Sequence, residues 1–270
     1  VDYQLFLQRT IGYCAGGSTR EHAMFFLYGA GGNGKGIFLN TLQAVIGDYA
    51  KTAPMETFTD SKNDRHPTDM AMLQGARMVF AQETESGRAW AESKIKSLTG
   101  GDPISARFMR QDFFTFTPKF KLLISGNHMP QLKNVDEAMR RRLYLLPFTQ
   151  TFKGSNRDPH LAETLTHEYE GILQWIVEGA AAYENEGLKP PVIVQEATNT
   201  YFESEDYFND WVKACCELEA NAYENPTNLF NSFKTFAEEI NEPTGTNREF
   251  RYWLEKAGFT RGSSSAKGGR

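Results

Sequence analysis

At 270 residues the chain is long enough to bury roughly three-quarters of its unfolded surface, and a formal net charge of −5 excludes a uniformly basic nucleic-acid coat. Twenty Phe, eleven Tyr and four Trp supply ample core material, while three cysteines, Cys14 and the vicinal Cys215 and Cys216, make neither a disulfide framework nor a zinc site. No apolar run approaches membrane-spanning length and the opening residues lack a secretory pattern, so the expectation is a cytoplasmic, reducing compartment with no membrane partner.

From the N-terminus, residues 3–13, YQLFLQRTIGY, have the apolar spacing of a helix. Ala23 to Tyr28 reads as a buried strand, the glycines after it as a turn, and Lys35 to about Val45 as a helix. Met70 to Leu73 suggests a short helix, and Arg77 to Ala81 a second strand, ending at Gln82-Glu83-Thr84-Glu85. A helix from Trp90 to about Leu98 precedes the turn signal TGGDP. Runs at 104–109 and 113–116 flank RQD and predict a hairpin. Lys121 to Ser125 is a strand ending at Gly126-Asn127, and Leu143 to Leu146 is a further one. Strands interleaved with helices predict an α/β sheet with ligands at the strand C-terminal ends.

Past Phe152 the pattern turns helical. Residues 161–183 run through Leu165, Ile172, Leu173, Trp175 and Ile176; after the break LKPP, residues 195–220 are helical again. Thr227 is placed to cap a helix carrying Leu229, Phe230, Phe233, Phe236, Ala237 and Ile240. Asn247 is placed to cap another, carrying Phe250, Trp253, Leu254 and Ala257 and stopped by Gly258. Two short helices and a basic Gly/Ser stretch fit a helix-turn-helix with a truncated wing.

The chemistry begins at FFLYGAGGNGKGIFLN. The spacing Gly29-x-x-x-x-Gly34-Lys35 is that of a phosphate-binding loop. Backbone N–H groups across Gly29, Gly31, Gly32, Asn33, Gly34 and Gly36 would cradle phosphate oxygens at a helix N-terminus, and Lys35 would neutralise them. Such loops normally continue with Ser or Thr, whose hydroxyl binds magnesium; Gly36 stands there instead. A plain strand–turn–helix is the bland reading. A nucleoside triphosphatase also needs carboxylate at a neighbouring strand end. MVFAQETE offers Glu83 at the catalytic-acid place, with Gln82 where a metal aspartate is usual; a solvated strand end is the alternative.

Asn127, ending KLLISGN, could hold an amide beside a γ-phosphate, although Asn after Gly is also common turn chemistry. DEAMRRRLYLLPF sets Arg140, Arg141 and Arg142 before an apolar strand, as an arginine finger or as a solvated basic turn. Between residues 88 and 121, Arg88, Lys94, Lys96, Arg107, Arg110, Lys119 and Lys121 face only Glu92, Asp102 and Asp112, so a local basic channel is compatible with an acidic chain. NDRHPTD, residues 63–69, reads as a solvated loop, and the acidic stretch 184–242 as solvated faces. His66 and His128 lack partners at ligand spacing.

Glycine loop, acidic strand end, basic hairpin, strand-end Asn and arginine pair follow one another within about 115 residues. In this order the sequence resembles the superfamily 3 helicases found at the C-terminus of phage and plasmid primase–helicases. The resemblance is carried by GGNGKG, ETESGRAWAESKIKSLTGGDPISARF, FTFTPKFKLLISGNHMP and DEAMRRRLYLLPF, with FLQRTIGYCAGG ahead of them, and runs over nearly the whole chain. It implies an α/β fold of AAA+ type: a helical segment at 1–22, a P-loop ATPase core at 23–152, a helical lid at 153–190 and a helical, winged-helix-like DNA-binding region at 191–270. It further implies ATP and Mg2+ as cofactors, a hexameric ring with ATP between neighbours, and 3′ to 5′ movement along single-stranded or forked DNA. The implied setting is replication of a phage, plasmid or other mobile element in a bacterial cell, with a primase upstream.

Carried over by position, Lys35 is the phosphate lysine, Glu83 the catalytic acid, Asn127 the sensor, and Arg141 or Arg142 the finger. Lys94, Lys96 and Arg107 lie on the DNA-facing segment, and Arg110 at a hairpin tip that projects into the pore. Gly36 and Gln82 depart from the family pattern and leave a thin metal shell, with magnesium resting on phosphates, water, Glu83 and Glu85. Two other readings stay open: a replication initiator or DNA-assembly ATPase without processive unwinding, and a non-hydrolysing scaffold. The start at Val1 and the end in GSSSAKGGR read as cuts through a longer polypeptide.

Overall fold

The computed structural model describes residues 2–60, 68–82, 88–132, 135–219, 222–240, 242 and 244–260. They fall into two compact units, Val1–Glu203 and Ser204–Arg270.

The first unit is built on a five-stranded parallel sheet. In chain order its elements are α1 (Asp2–Ala15), β1 (Met24–Tyr28), α2 (Lys35–Ile46), β2 (Ala50–Thr52), α3 (Thr68–Ala71), β3 (Met78–Gln82), α4 (Glu92–Gly100), β4 (Ile104–Ala106), β5 (Phe114–Phe116), β6 (Lys121–Gly126), α5 (Glu137–Arg140), β7 (Leu143–Pro147), α6 (Leu161–Thr166), α7 (Tyr169–Glu186) and α8 (Val192–Ser204). The strand order is β2-β3-β6-β1-β7, with β4 and β5 set apart as an antiparallel pair. Both sheet faces are covered, which is why the strands read as continuous apolar runs. Alternate residues go to opposite cores. Met24 and Phe26 of β1 join Val79, Ala81, Leu122, Ile124 and Leu145 on one side, under Trp90, Ile95 and Phe202. Phe25 and Leu27 join Met78, Phe80, Leu123 and Leu146 on the other, under Phe6, Leu42 and Ile176.

On that second side α1 lies directly on α7. A Cβ added at Gly12 would stand 2.1 Å from the Ala180 backbone nitrogen, and one at Gly179 2.1 Å from the Gln8 carbonyl oxygen, so the contact requires glycine on both helices. At the sheet edge, the Leu145 N–H of β7 is taken up by Thr198 Oγ1 of α8 at 3.1 Å, which removes one open edge donor. Lys121, expected in a basic channel, is instead 1% exposed. Its ammonium donates to the carbonyls of Gly16, Ser18 and Lys119, and burial lowers its pKa to about 8.

The second unit holds α9 (Tyr207–Cys215), α10 (Pro226–Glu239) and α11 (Asn247–Lys256), packed through Phe208, Trp211, Phe233 and Phe250. Several boundaries differ from the sequence expectation for local reasons. The run 195–220 is two helices, because Asp206 caps a new one by accepting from the Asn209 N–H. Asn225, not Thr227, caps α10, with Pro226 in its first turn. Thr246, not Asn247, caps α11 and forms a capping box with Glu249. The run 161–183 is likewise divided, into α6 and α7. The short edge strand β2 has no signature in the sequence, since its three residues, AKT, carry no periodicity of their own.

Candidate functional site

The loop from Gly29 to Gly34 joins β1 to α2, with φ of 146° at Gly29, 76° at Gly32 and 85° at Gly34. At Gly29 no side chain fits, since a Cβ would lie 2.2 Å from the Phe148 carbonyl oxygen. The chain leaving β7 runs along this loop and is fastened three times, once to the end of β1 and twice to the loop. Phe148 N–H donates to the Tyr28 carbonyl at 2.8 Å, Asn33 Nδ2 to the Phe148 carbonyl at 2.9 Å, and Phe152 N–H to the Gly32 carbonyl at 2.8 Å.

Lys35 opens α2 and is only 7% exposed. Its ammonium donates to the Gly29 carbonyl at 2.6 Å, to Asn33 Oδ1 at 3.1 Å and to Asn127 Oδ1 at 3.2 Å. Asn127 reaches it because β6 lies parallel to β1 with Gly126 opposite Tyr28, which brings the residue after β6 level with the first residue of the loop. All three acceptors are neutral oxygens, and burial pushes the lysine pKa down. The arrangement is a buried cation on the first residue of a helix, with no formal counter-charge among those acceptors, and such electrostatics suit an anion. At Gly36 the space is open, with no heavy atom within 4 Å of an added Cβ.

β3 flanks β6 on the side away from β1, with Gln82 opposite Ser125. Its C-terminal end is therefore two strand spacings, about 10 Å, from the glycine loop. Glu83, next after Gln82, and Glu85, two residues further on, lie outside the described residues, as does His66. Among the described residues no group of three His, Cys, Asp or Glu side chains could hold a metal ion.

The three arginines have three different environments. Arg140 pairs with Glu137 at 3.6 Å and lies over the Phe202 ring at 4.9 Å. Arg141 is exposed. Arg142 is 6% exposed, with Nε donating to Thr99 Oγ1 at 3.1 Å and a terminal nitrogen donating to the Ala138 carbonyl at 2.6 Å. Burial, and next the charge of Arg141, push its pKa down. Arg142 thus ties α4 to α5, leaving Arg141 as the arginine of the pair open to a ligand or neighbour.

β4 and β5 form the expected hairpin, and Arg110 sits at its tip, exposed, with φ of 60°. Arg107 stacks on the Phe113 ring at 4.7 Å, and its buried Nε has no hydrogen-bond partner among the described residues. Lys94 is exposed on α4. Lys96 is bound within the chain, 2.5 Å from Asp136 and 3.8 Å from Glu92. Reading charges alone missed the hairpin's aromatic surface: Phe108 is 37% exposed, Met109 67% and Phe113 57%, and Phe108 stacks on Phe114. The signal was present in RFMRQDFF, where cations alternate with large apolar side chains.

This geometry can be set beside known proteins. The sequence is similar to helicase-named proteins of large DNA viruses. It is 26% identical over 218 residues to "Putative helicase L207/L206" of Acanthamoeba polyphaga mimivirus, covering 74% of this chain and 23% of that protein. It is 25% identical over 265 residues to "Putative helicase 022R" of Frog virus 3 (isolate Goorha), covering 91% of this chain and 27% of that protein. The chain therefore spans about a quarter of the length of these relatives. Residues 27–142, from the end of β1 to Arg142, match the model of a family of unknown function, DUF5906. The fold is similar to that of the apo A form of the NrS-1 C-terminal region, with a TM-score of 0.52 at 12% identity over 92% of this chain and 68% of that one. No helix among the described residues is long and apolar enough to cross a membrane.

Proposed function

We propose that this chain is the motor of a DNA helicase: an AAA+ P-loop ATPase of superfamily 3 type that hydrolyses ATP with Mg2+. In this reading it moves 3′ to 5′ along single-stranded or forked DNA as a hexameric ring, in replication of a viral or other mobile DNA, with a primase upstream. The helicase names of the viral relatives support the activity. The observation that carries the reading is the Lys35–Asn127 contact, which joins the glycine loop to the end of the adjacent strand, where a γ-phosphate would lie. A bound triphosphate would replace the three neutral oxygens now held by Lys35. Asn127 would sense its terminal phosphate, and Glu83, immediately beyond β3 in sequence, would activate the attacking water. The exposed Arg141 would complete the site of a neighbouring subunit. The hairpin, with Arg110 at its tip and exposed aromatics beside it, has the cation-plus-ring composition that holds single strands.

The test is ATP hydrolysis with and without single-stranded DNA, in the wild-type chain and in Lys35→Ala. Hydrolysis that DNA stimulates, and that the variant lacks, is the expected result. A DNA-independent rate, equal in both proteins, would remove the proposal.

A further inference from the structure

We propose that Phe152 is the stacking surface for the base of the nucleoside triphosphate, a role that rests on the nucleotide reading above. Phe152 is 48% exposed in a run whose neighbours, Thr149, Gln150, Thr151 and Lys153, are polar and exposed. Among the described residues it belongs to none of the three apolar clusters, so packing of the core does not account for it. Its position is nevertheless fixed, because its N–H donates to the Gly32 carbonyl at 2.8 Å. The ring lies beside the loop: its Cε2 is 3.8 Å from where a Cβ on Gly34 would stand. Phosphates held on the loop's N–H groups and on Lys35 leave the nucleoside to extend toward the loop's rim, and the rim carries this aromatic face. Glycine at position 34 leaves that side of the loop clear of any side chain of its own. Every base presents a π-face, so stacking of this kind holds ATP and GTP alike and contributes nothing to a triphosphate that lacks a base.

Calorimetric titration of the wild-type chain, Phe152→Ala and Phe152→Tyr with ATP, GTP and inorganic tripolyphosphate separates these contributions. The alanine variant is expected to bind both nucleotides roughly ten-fold more weakly, with tripolyphosphate unchanged, while the tyrosine variant stays near wild type for all three. Wild-type ATP affinity in Phe152→Ala would overturn the proposal. So would a parallel loss of tripolyphosphate, which would mean that the ring only shapes the loop. A wild-type chain that binds tripolyphosphate as tightly as ATP would leave no base contribution for Phe152 to make. A wild-type chain that binds none of the three would remove the nucleotide reading, and the stacking role with it.

Discussion

Two adjacent arginines, identical in charge and one residue apart, have opposite surroundings. Arg142 is spent inside its own chain on Thr99 and Ala138, whereas Arg141 is exposed. In the motor reading Arg141→Ala should lower hydrolysis by about 10³ to 10⁵ while nucleotide affinity and thermal stability hold. Arg142→Ala strips the donors from the buried Thr99 hydroxyl and the part-buried Ala138 carbonyl and should cost about 1–3 kcal/mol of stability, measured by denaturant unfolding. If stability falls in Arg141→Ala and hydrolysis survives there, the two roles are exchanged. Gly36 gives a second prediction at this scale. The open space around it admits a hydroxyl, and serine suits a helix better than glycine. Gly36→Ser should therefore fold normally and reach half-maximal ATP hydrolysis at lower magnesium. Coincident magnesium midpoints would mean that the metal shell is complete without that hydroxyl.

At the scale of elements, the hairpin is where charge and apolar surface coincide. Arg110→Ala should weaken single-strand binding and reduce the slope of log affinity against log salt by about 0.7, the share of one phosphate contact on a single strand. An unchanged slope in a fluorescence-anisotropy titration would move the DNA contact elsewhere. Lys96→Ala should be milder for DNA, since Lys96 already neutralises Asp136 and Glu92. The elements themselves were largely legible in the sequence. β1, β3, β6 and β7 announce themselves as apolar runs because both sheet faces are covered. The loop and the lysine follow from glycine spacing. What was not legible depends on long-range contacts. Arg141 and Arg142 are equivalent in sequence, and only the approach of Thr99, 43 residues away, distinguishes them. Lys121 looks like a surface cation until the carbonyls of Gly16 and Ser18 close over it. Phe152 sits in a polar stretch without periodicity, and only its bond to Gly32 shows which loop it adjoins.

At the scale of the whole molecule, the proposed motor needs neighbours. Gly loop, Asn33, Lys35 and Asn127 come together within one chain, whereas Arg141 is exposed and open to a neighbour. Mixing makes this testable. Excess Lys35→Ala, which keeps its arginines, should partly restore hydrolysis to Arg141→Ala, although neither protein alone turns over ATP. Failure to rescue in assemblies verified as mixed by native mass spectrometry would make the ATP site self-contained. The central claim, that this chain converts ATP hydrolysis into movement on DNA, is tested most directly by strand displacement from a forked duplex with one labelled strand. The account predicts ATP- and magnesium-dependent displacement that requires a 3′ single-stranded tail on the tracking strand and is absent in Lys35→Ala. Tight DNA binding and DNA-stimulated hydrolysis without any displacement, on either polarity of fork, would contradict it.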